Sequence, residues 1–275
     1  MNASHCAPGL LTLLATLTLR TAPSWSSSAR LLRGAAALTY ALAGPAAAAS
    51  LQISPVMINL RASQAASGIS LQNDGDTAIY GQVRVFLWEQ KGGDDVLTPT
   101  DELIASPPLM QIAPKSAQTI RLVRRTGVAG PGSAGPERQY RVLIDEVPTS
   151  AEAREGVAIK LQYSVPIFIA ATAPDVAPQL SWQFFRRDGA WYLRVTNSGT
   201  LHAQIGATTL IGAHAREYEL SKGLLGYALA GRQREWRLAL APDLSLDGVL
   251  QVRATVNMRP GLASGEVLVK PEPAR

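Results

Sequence analysis

The sequence predicts an all-β protein: two immunoglobulin-like β-sandwich domains following a cleaved signal peptide. Three observations carry that prediction. An arginine-flanked apolar leader ends in a run of small residues. Beyond it, stretches rich in Val, Ile, Leu and aromatic residues alternate with Gly, Pro, Asn and Asp turn clusters. The pattern breaks at a proline-bearing linker near residue 172 and then restarts, as two successive sandwiches require.

The leader comes first. Arg30 and Arg33 precede an apolar stretch over 34–43, which Gly44 and Pro45 break before Ala46, Ala47, Ala48 and Ala49. A basic flank, a short apolar segment and a small-residue zone make a secretory signal, and Ala47-x-Ala49 places cleavage near 49/50. The apolar run is too short for a membrane anchor of about 20 residues, so no stable membrane insertion is expected. A second apolar stretch over 10–19 makes the leader unusually long; an over-extended reading frame is the other account of that length.

Three domains are therefore expected: 1–49 as signal peptide, 50–172 as the first sandwich and 173–275 as the second. In the first, strands are predicted at 51–60, 68–72, 78–90, 118–124, 140–146 and 157–171. Asn73-Asp74-Gly75-Asp76 and Gly92-Gly93-Asp94-Asp95 mark turns, because these residues adopt positive φ cheaply. Pro99, Pro107, Pro108 and Pro114 exclude a long helix between them. Within 83–88, Val83, Val85 and Leu87 share one face while Arg84, Phe86 and Trp88 share the other, so both faces are expected to be covered. Residues 127–135 read as a Gly/Ala/Pro/Ser loop. In the second domain, strands are expected at 180–185 and 191–196 around Arg187-Asp188-Gly189, then at 203–211, 235–240, 249–256 and 266–270.

Charge argues against a nucleic-acid partner. The chain has 26 basic and 21 acidic residues and a pI near 9.6. Arg20, Arg30 and Arg33 lie in the leader, which has no acid, so residues 50–275 carry only about +2. Neither a basic run nor a base-stacking motif occurs.

Chemistry is sparse as well. Cys6 is the only cysteine, and His202 and His214 are the histidines beyond the leader. No HExxH, GxSxG or P-loop pattern appears. A metal shared by His202 and His214 is weighed against a turn or surface role, which is favoured for want of acidic ligands. Calcium at Asp74 and Asp76 is weighed against a plain turn, again favoured. Adjacent strand residues such as Asp145 and Glu146 point to opposite faces and do not converge as an acid/base pair. Neither a catalytic residue, nor a metal, nor a cofactor is expected.

Ordered segments carry a resemblance. They are Ile53-Ser54-Pro55-Val56, Gln82 to Gln90, Leu97-Thr98-Pro99-Thr100, Ala105-Ser106-Pro107-Pro108, Gln118 to Arg124, Tyr140-Arg141 with Asp145-Glu146, and Tyr163 to Phe168. Asn197-Ser198-Gly199 with His202, and Leu225-Gly226-Tyr227 through Ala230-Gly231, follow in the second domain. Together they resemble the PapD-like periplasmic chaperones of pilus assembly, particularly the archaic, spore-coat-like chaperone–usher branch.

The resemblance implies a function: a non-enzymatic chaperone of the periplasm that binds and stabilises pilus subunits by donor-strand complementation. It then delivers them to an outer-membrane usher. The donor strand it implies contains Val157, Ile159, Leu161 and Tyr163 on one face, with Ala158, Lys160 and Gln162 on the other. Lys160 matches the lysine that anchors the subunit's terminal carboxylate. The family's first-strand arginine is not matched, since Met57 or a neighbour occupies that stretch, and Arg84 is substituted for it on charge and strand placement. Residues 151–155 lack the long alternation of large apolar residues of classical members, and Tyr163-Ser164-Val165-Pro166 replaces their Tyr-Arg-Pro. An exported Ig-like adhesin or structural surface protein is the alternative. An exported carbohydrate-binding or hydrolytic β-protein would need a carboxylate pair or aromatic platform that is not identified.

Overall fold

The computed structural model describes residues 51–125, 137–147, 161–171, 177–246 and 250–268. The leader, the 127–135 loop, and Val157, Ile159 and Lys160 lie outside the described residues. The first part of the chain forms β1 (Leu51–Ser54), β2 (Ile58–Leu60), β3 (Ala66–Asn73), β4 (Ile79–Lys91), β5 (Asp94–Pro99), β6 (Leu103–Ser106) and β7 (Leu109–Ile112). It continues with β8 (Ser116–Arg124), β9 (Arg138–Glu146) and β10 (Gln162–Ile169). One sheet runs β1-β3-β8-β6; the other runs β2-β10-β9-β4-β5, with β7 also on β4. Period-two alternation sends Ile69, Leu71, Ile120, Leu122, Val142 and Ile167 between them, all fully buried in one core.

Two departures from the sequence reading have local causes. The strand expected over 51–60 is two strands, because Pro55 has no N–H to continue a ladder. β1 pairs with β3, and β2 then crosses to the other sheet to pair in parallel with β10. The proline-bearing stretch beyond residue 93 holds β5, β6 and β7, short strands fitted between the prolines.

The second part forms β11 (Leu180–Arg187), β12 (Ala190–Asn197), β13 (Ala203–Ile211), β14 (Glu217–Ser221), β15 (Gly226–Ala228), β16 (Arg232–Arg237), β17 (Leu250–Val256) and β18 (Arg259–Val267). The order is β14-β13-β17-β18-β11-β12-β16, with β15 on β13. β18 is antiparallel to β17 and, at its end, parallel to β11, so the sheet folds over a second core. That core includes Phe184, Leu193, Val195, Ile205, Leu210 and Val252. The final strand begins at Arg259 rather than 266, because Asn257 and Met258 adopt positive φ and close a tight hairpin with β17. Asp188 and Gly189 make the expected turn between β11 and β12 in the same way. Asn73 fixes the expected 73–76 turn: its Oδ1 accepts from the Gly75 N–H at 2.9 Å and its amide donates to Thr77 O at 2.8 Å.

The two sandwiches meet through a third apolar cluster, Trp88, Phe168, Tyr227 and Leu229, with Met57 packed against it. This explains the apolar outer face of β4. Trp88 lies edge-on to Tyr227 at 5.3 Å, and Val83, Val85 and Leu87 turn to the first core. Gln90, 4% exposed, donates to Tyr227 O at 2.8 Å and accepts from the Leu229 N–H at 2.9 Å, completing backbone bonds of the neighbouring domain. The β4–β5 turn docks alongside: Gly93 O accepts from the Glu235 N–H at 2.9 Å. A Cβ at Gly93, whose φ is +86°, would stand 2.8 Å from the Glu235 side chain, so this contact requires glycine.

Candidate functional site

β10 is bonded to β9 along its whole length, whereas β2 covers only Ile167–Ile169. Over 162–166 the other edge of β10 has no strand partner among the described residues. The Glu146 N–H donates to Leu161 O at 3.1 Å, which makes Leu161 and Glu146 a hydrogen-bonded pair. By antiparallel alternation, Tyr163 and Val165 also direct their backbone groups to β9. The N–H and C=O of Gln162 and Ser164 and the C=O of Pro166 therefore point into the open edge.

Of the predicted donor residues, Leu161 is partly exposed and Tyr163 packs against the first core. The Tyr163 hydroxyl donates to Leu51 O at 3.2 Å, so its side chain is tied inside its own sandwich. Gln162 and Ser164 lie on the opposite face of the strand, the face assigned to Lys160 by alternation.

On that outer face two arginines stand in different circumstances. Arg84 points Nε and Nη2 at Asp145 Oδ2, at 3.1 and 2.8 Å, and Gln162 donates to Asp145 Oδ1. Burial alone would push the Asp145 carboxyl up, but the hydrogen bonds from Gln162 and Arg84, with the Arg84 charge, hold it below its ordinary value. Arg141 stacks its guanidinium 3.7 Å from the Trp88 ring centroid and 5.3 Å from that of Tyr227. Its Nη1 reaches Ser164 Oγ at 3.4 Å, and it forms no ion pair among the described residues. Burial pulls the Arg141 guanidinium below its ordinary value, against the opposing effects of Asp95 and Tyr227. An arginine nevertheless stays charged, and a partly desolvated cation without a carboxylate partner is suited to receive an anion. The sequence placed Arg141 only within a matching segment; its setting depends on Tyr227, from the other domain.

His202 corrects the surface role expected for it. It is 7% exposed, and its ring stacks on Phe168 with centroids 3.5 Å apart. Glu137 takes both its backbone N–H, at 2.8 Å to Oε2, and its Nδ1, at 2.8 Å to Oε1. This buried carboxylate joins the domains beside the aromatic cluster. His214 is exposed in a 3-10 turn. Among the described residues no group of three or more His, Cys, Asp or Glu is placed to hold a metal. No helix among them is long and apolar enough to cross a membrane.

Residues 50–174 match the family described as pili and flagellar-assembly chaperone, PapD N-terminal domain. No curated protein matches the chain in sequence. Among solved structures, the chain is similar to one from the CsuC–CsuE chaperone–tip adhesion subunit pre-assembly complex of the archaic chaperone-usher Csu pili of Acinetobacter baumannii. There the TM-score is 0.62 at 24% identity, over 80% of this chain and 100% of that one. The YadV chaperone gives 0.58 at 17% identity, over 78% and 100%. A chain of the Salmonella enterica SafA pilin–SafB chaperone complex gives 0.52 at 16% identity, over 78% and 93%. These likenesses show the two-sandwich fold, and residues 50–174 match the PapD N-terminal domain of the pili and flagellar-assembly chaperones.

Proposed function

We propose that this protein is a periplasmic chaperone of the archaic chaperone–usher branch, which captures pilus subunits by lending them the strand that runs into β10. The observation that carries this reading is the open edge of β10 over 162–166, continuous in sequence with the apolar alternation Val157, Ile159, Leu161. A subunit missing one strand exposes a groove and two unpaired edges, which aggregate unless covered. The lent strand supplies backbone hydrogen bonds at the edge and apolar side chains for the groove. Handing the subunit to an outer-membrane usher completes the cycle. Residues 1–49 direct export and are removed, leaving domains over 50–172 and 173–275. The PapD match favours this reading over a surface adhesin.

The terminal carboxylate of the subunit is anchored by Lys160 and a second cation. Arg141 is the better second anchor. It lies across from Pro166 in the β9–β10 register, touches Ser164 and forms no ion pair among the described residues, whereas Arg84 is engaged by Asp145.

Periplasmic extracts test the proposal. The purified protein is expected to begin near Ser50 and to carry a small β-rich subunit with it; an intact Met1, or no copurifying subunit, contradicts it. Lys160→Ala and Arg141→Ala are each expected to weaken capture by roughly 2–5 kcal/mol, the scale for removing one partner of a desolvated charge pair. Arg84→Ala should leave capture nearly unchanged. A pull-down that ranks Arg84→Ala as the more damaging change would return the anchor to Arg84.

A further inference from the structure

At one end of the interdomain crevice lies a cavity of about 270 Å³ whose lining includes Met57, Glu137, Phe168, His202, Asn257 and Met258. Its donor set is unusual for this chain. The four methionines are Met1, Met57, Met110 and Met258. Met57 and Met258 come to this one cavity from different domains, while Met110 is buried in the first core.

His202 is prepared as a ligand. Glu137 fixes its Nδ1 and Phe168 fixes the ring plane. Its Nε2 has no protein partner among the described residues. No side-chain nitrogen or oxygen among them is both fully buried and unpartnered, so Nε2 keeps some exposure, and His202 is one of the residues that line the cavity. A carboxylate on the far ring nitrogen is the arrangement that orients a metal-binding imidazole and raises its basicity.

Met258 has no structural reason to be a methionine. It sits at φ +63° in the β17–β18 turn, where Gly or Asn is the unstrained choice, and it is 82% exposed. The turn is nevertheless fastened beside His202. Asn257 donates from Nδ2 to His202 O at 3.1 Å, and its Oδ1 accepts from the Gln204 N–H at 2.7 Å. An exposed, unbranched and flexible thioether thereby lines the same cavity as a fixed imidazole.

We propose that His202 Nε2 and the thioether sulfurs of Met57 and Met258 form a binding site for the cuprous ion, bridging the two domains. Thioether and imidazole donors together select Cu(I) over harder divalent ions. Occupancy ties Met57 of the first sandwich to His202 and Met258 of the second. The site is independent of the open edge of β10.

The test is an anaerobic titration of the protein with Cu(I) against a chromophoric Cu(I) chelator, with Cys6→Ser in any preparation that retains residue 6. In parallel, Ag(I) is titrated while the methionine methyl resonances are followed. One equivalent should be withdrawn from the chelator, and the Met57 and Met258 methyls should shift while that of Met110 stays. Met57→Leu and Met258→Leu conserve volume and should each lower affinity by about tenfold or more, a scale that outer-shell partners such as Glu137 also reach. Failure to compete with the chelator, unmoved Met57 and Met258 methyls, or binding lost in His214→Gln instead overturns the proposal.

Discussion

Ile159→Asp is expected to lower subunit capture by a hundredfold or more, roughly 3 kcal/mol, while leaving both sandwiches folded. The expectation follows from what lies on either side of residue 161. From Leu161 onward the strand is bonded to β9, and Tyr163, Val165, Ile167 and Ile169 all pack against the chaperone's own core. Upstream, the same alternation continues in sequence through Ile159 and Val157, the face proposed to enter the subunit groove. On that proposal, a carboxylate there is pressed against the apolar groove of the subunit. Val165→Asp is the contrasting case: Val165 is 3% exposed in the first core, so the same chemistry should unfold the chaperone itself. Circular dichroism melts beside a pull-down separate the two. An Ile159→Asp protein that melts early, yet captures subunit normally where folded, would place Ile159 in the chaperone's core.

Trp88→Ala should lower stability by about 3–5 kcal/mol. Trp88 is 1% exposed and central to the interdomain cluster. Its loss removes the edge contact to Tyr227 at 5.3 Å, the tilted contact to Phe168 at 5.9 Å and the Nε1 hydrogen bond to Asp95 at 3.0 Å. It also removes the surface on which Arg141 stacks. Because each sandwich keeps its own core, denaturation should broaden or split into two transitions as the domains uncouple. Trp88→Phe retains part of the ring packing and should cost less. A Trp88→Ala protein with an unchanged denaturation midpoint would show that the cluster contributes little to domain docking.

The sequence was most legible where one local rule decides. Alternation in Val83-Arg84-Val85-Phe86-Leu87-Trp88 announced a strand with two covered faces, and Asn73 and Arg187-Asp188-Gly189 announced turns. β5, β6 and β7 were not seen because prolines mark breaks without saying what stands between them. Site residues were harder, because their meaning depends on partners distant in sequence. Arg84 carried charge on a suitable strand, but its engagement by Asp145 follows from the β4–β9 register. Arg141 and His202 both fell in segments that resembled the family. What distinguishes Arg141 is stacking on Trp88 and Tyr227, and what buries His202 is Glu137 from the other domain. Interdomain geometry of this kind leaves no periodic trace.

Receipt of the subunit at the open edge of β10 is tested most directly by hydrogen exchange on the protein with and without bound subunit. The amides of Gln162 and Ser164 point into that edge, whereas those of Tyr163 and Val165 are already bonded to β9 and serve as internal references. Marked new protection at Gln162 and Ser164, with little change at Tyr163 and Val165, is the expected result. Subunit binding that leaves Gln162 and Ser164 exchanging as in the free protein would contradict strand donation at this edge.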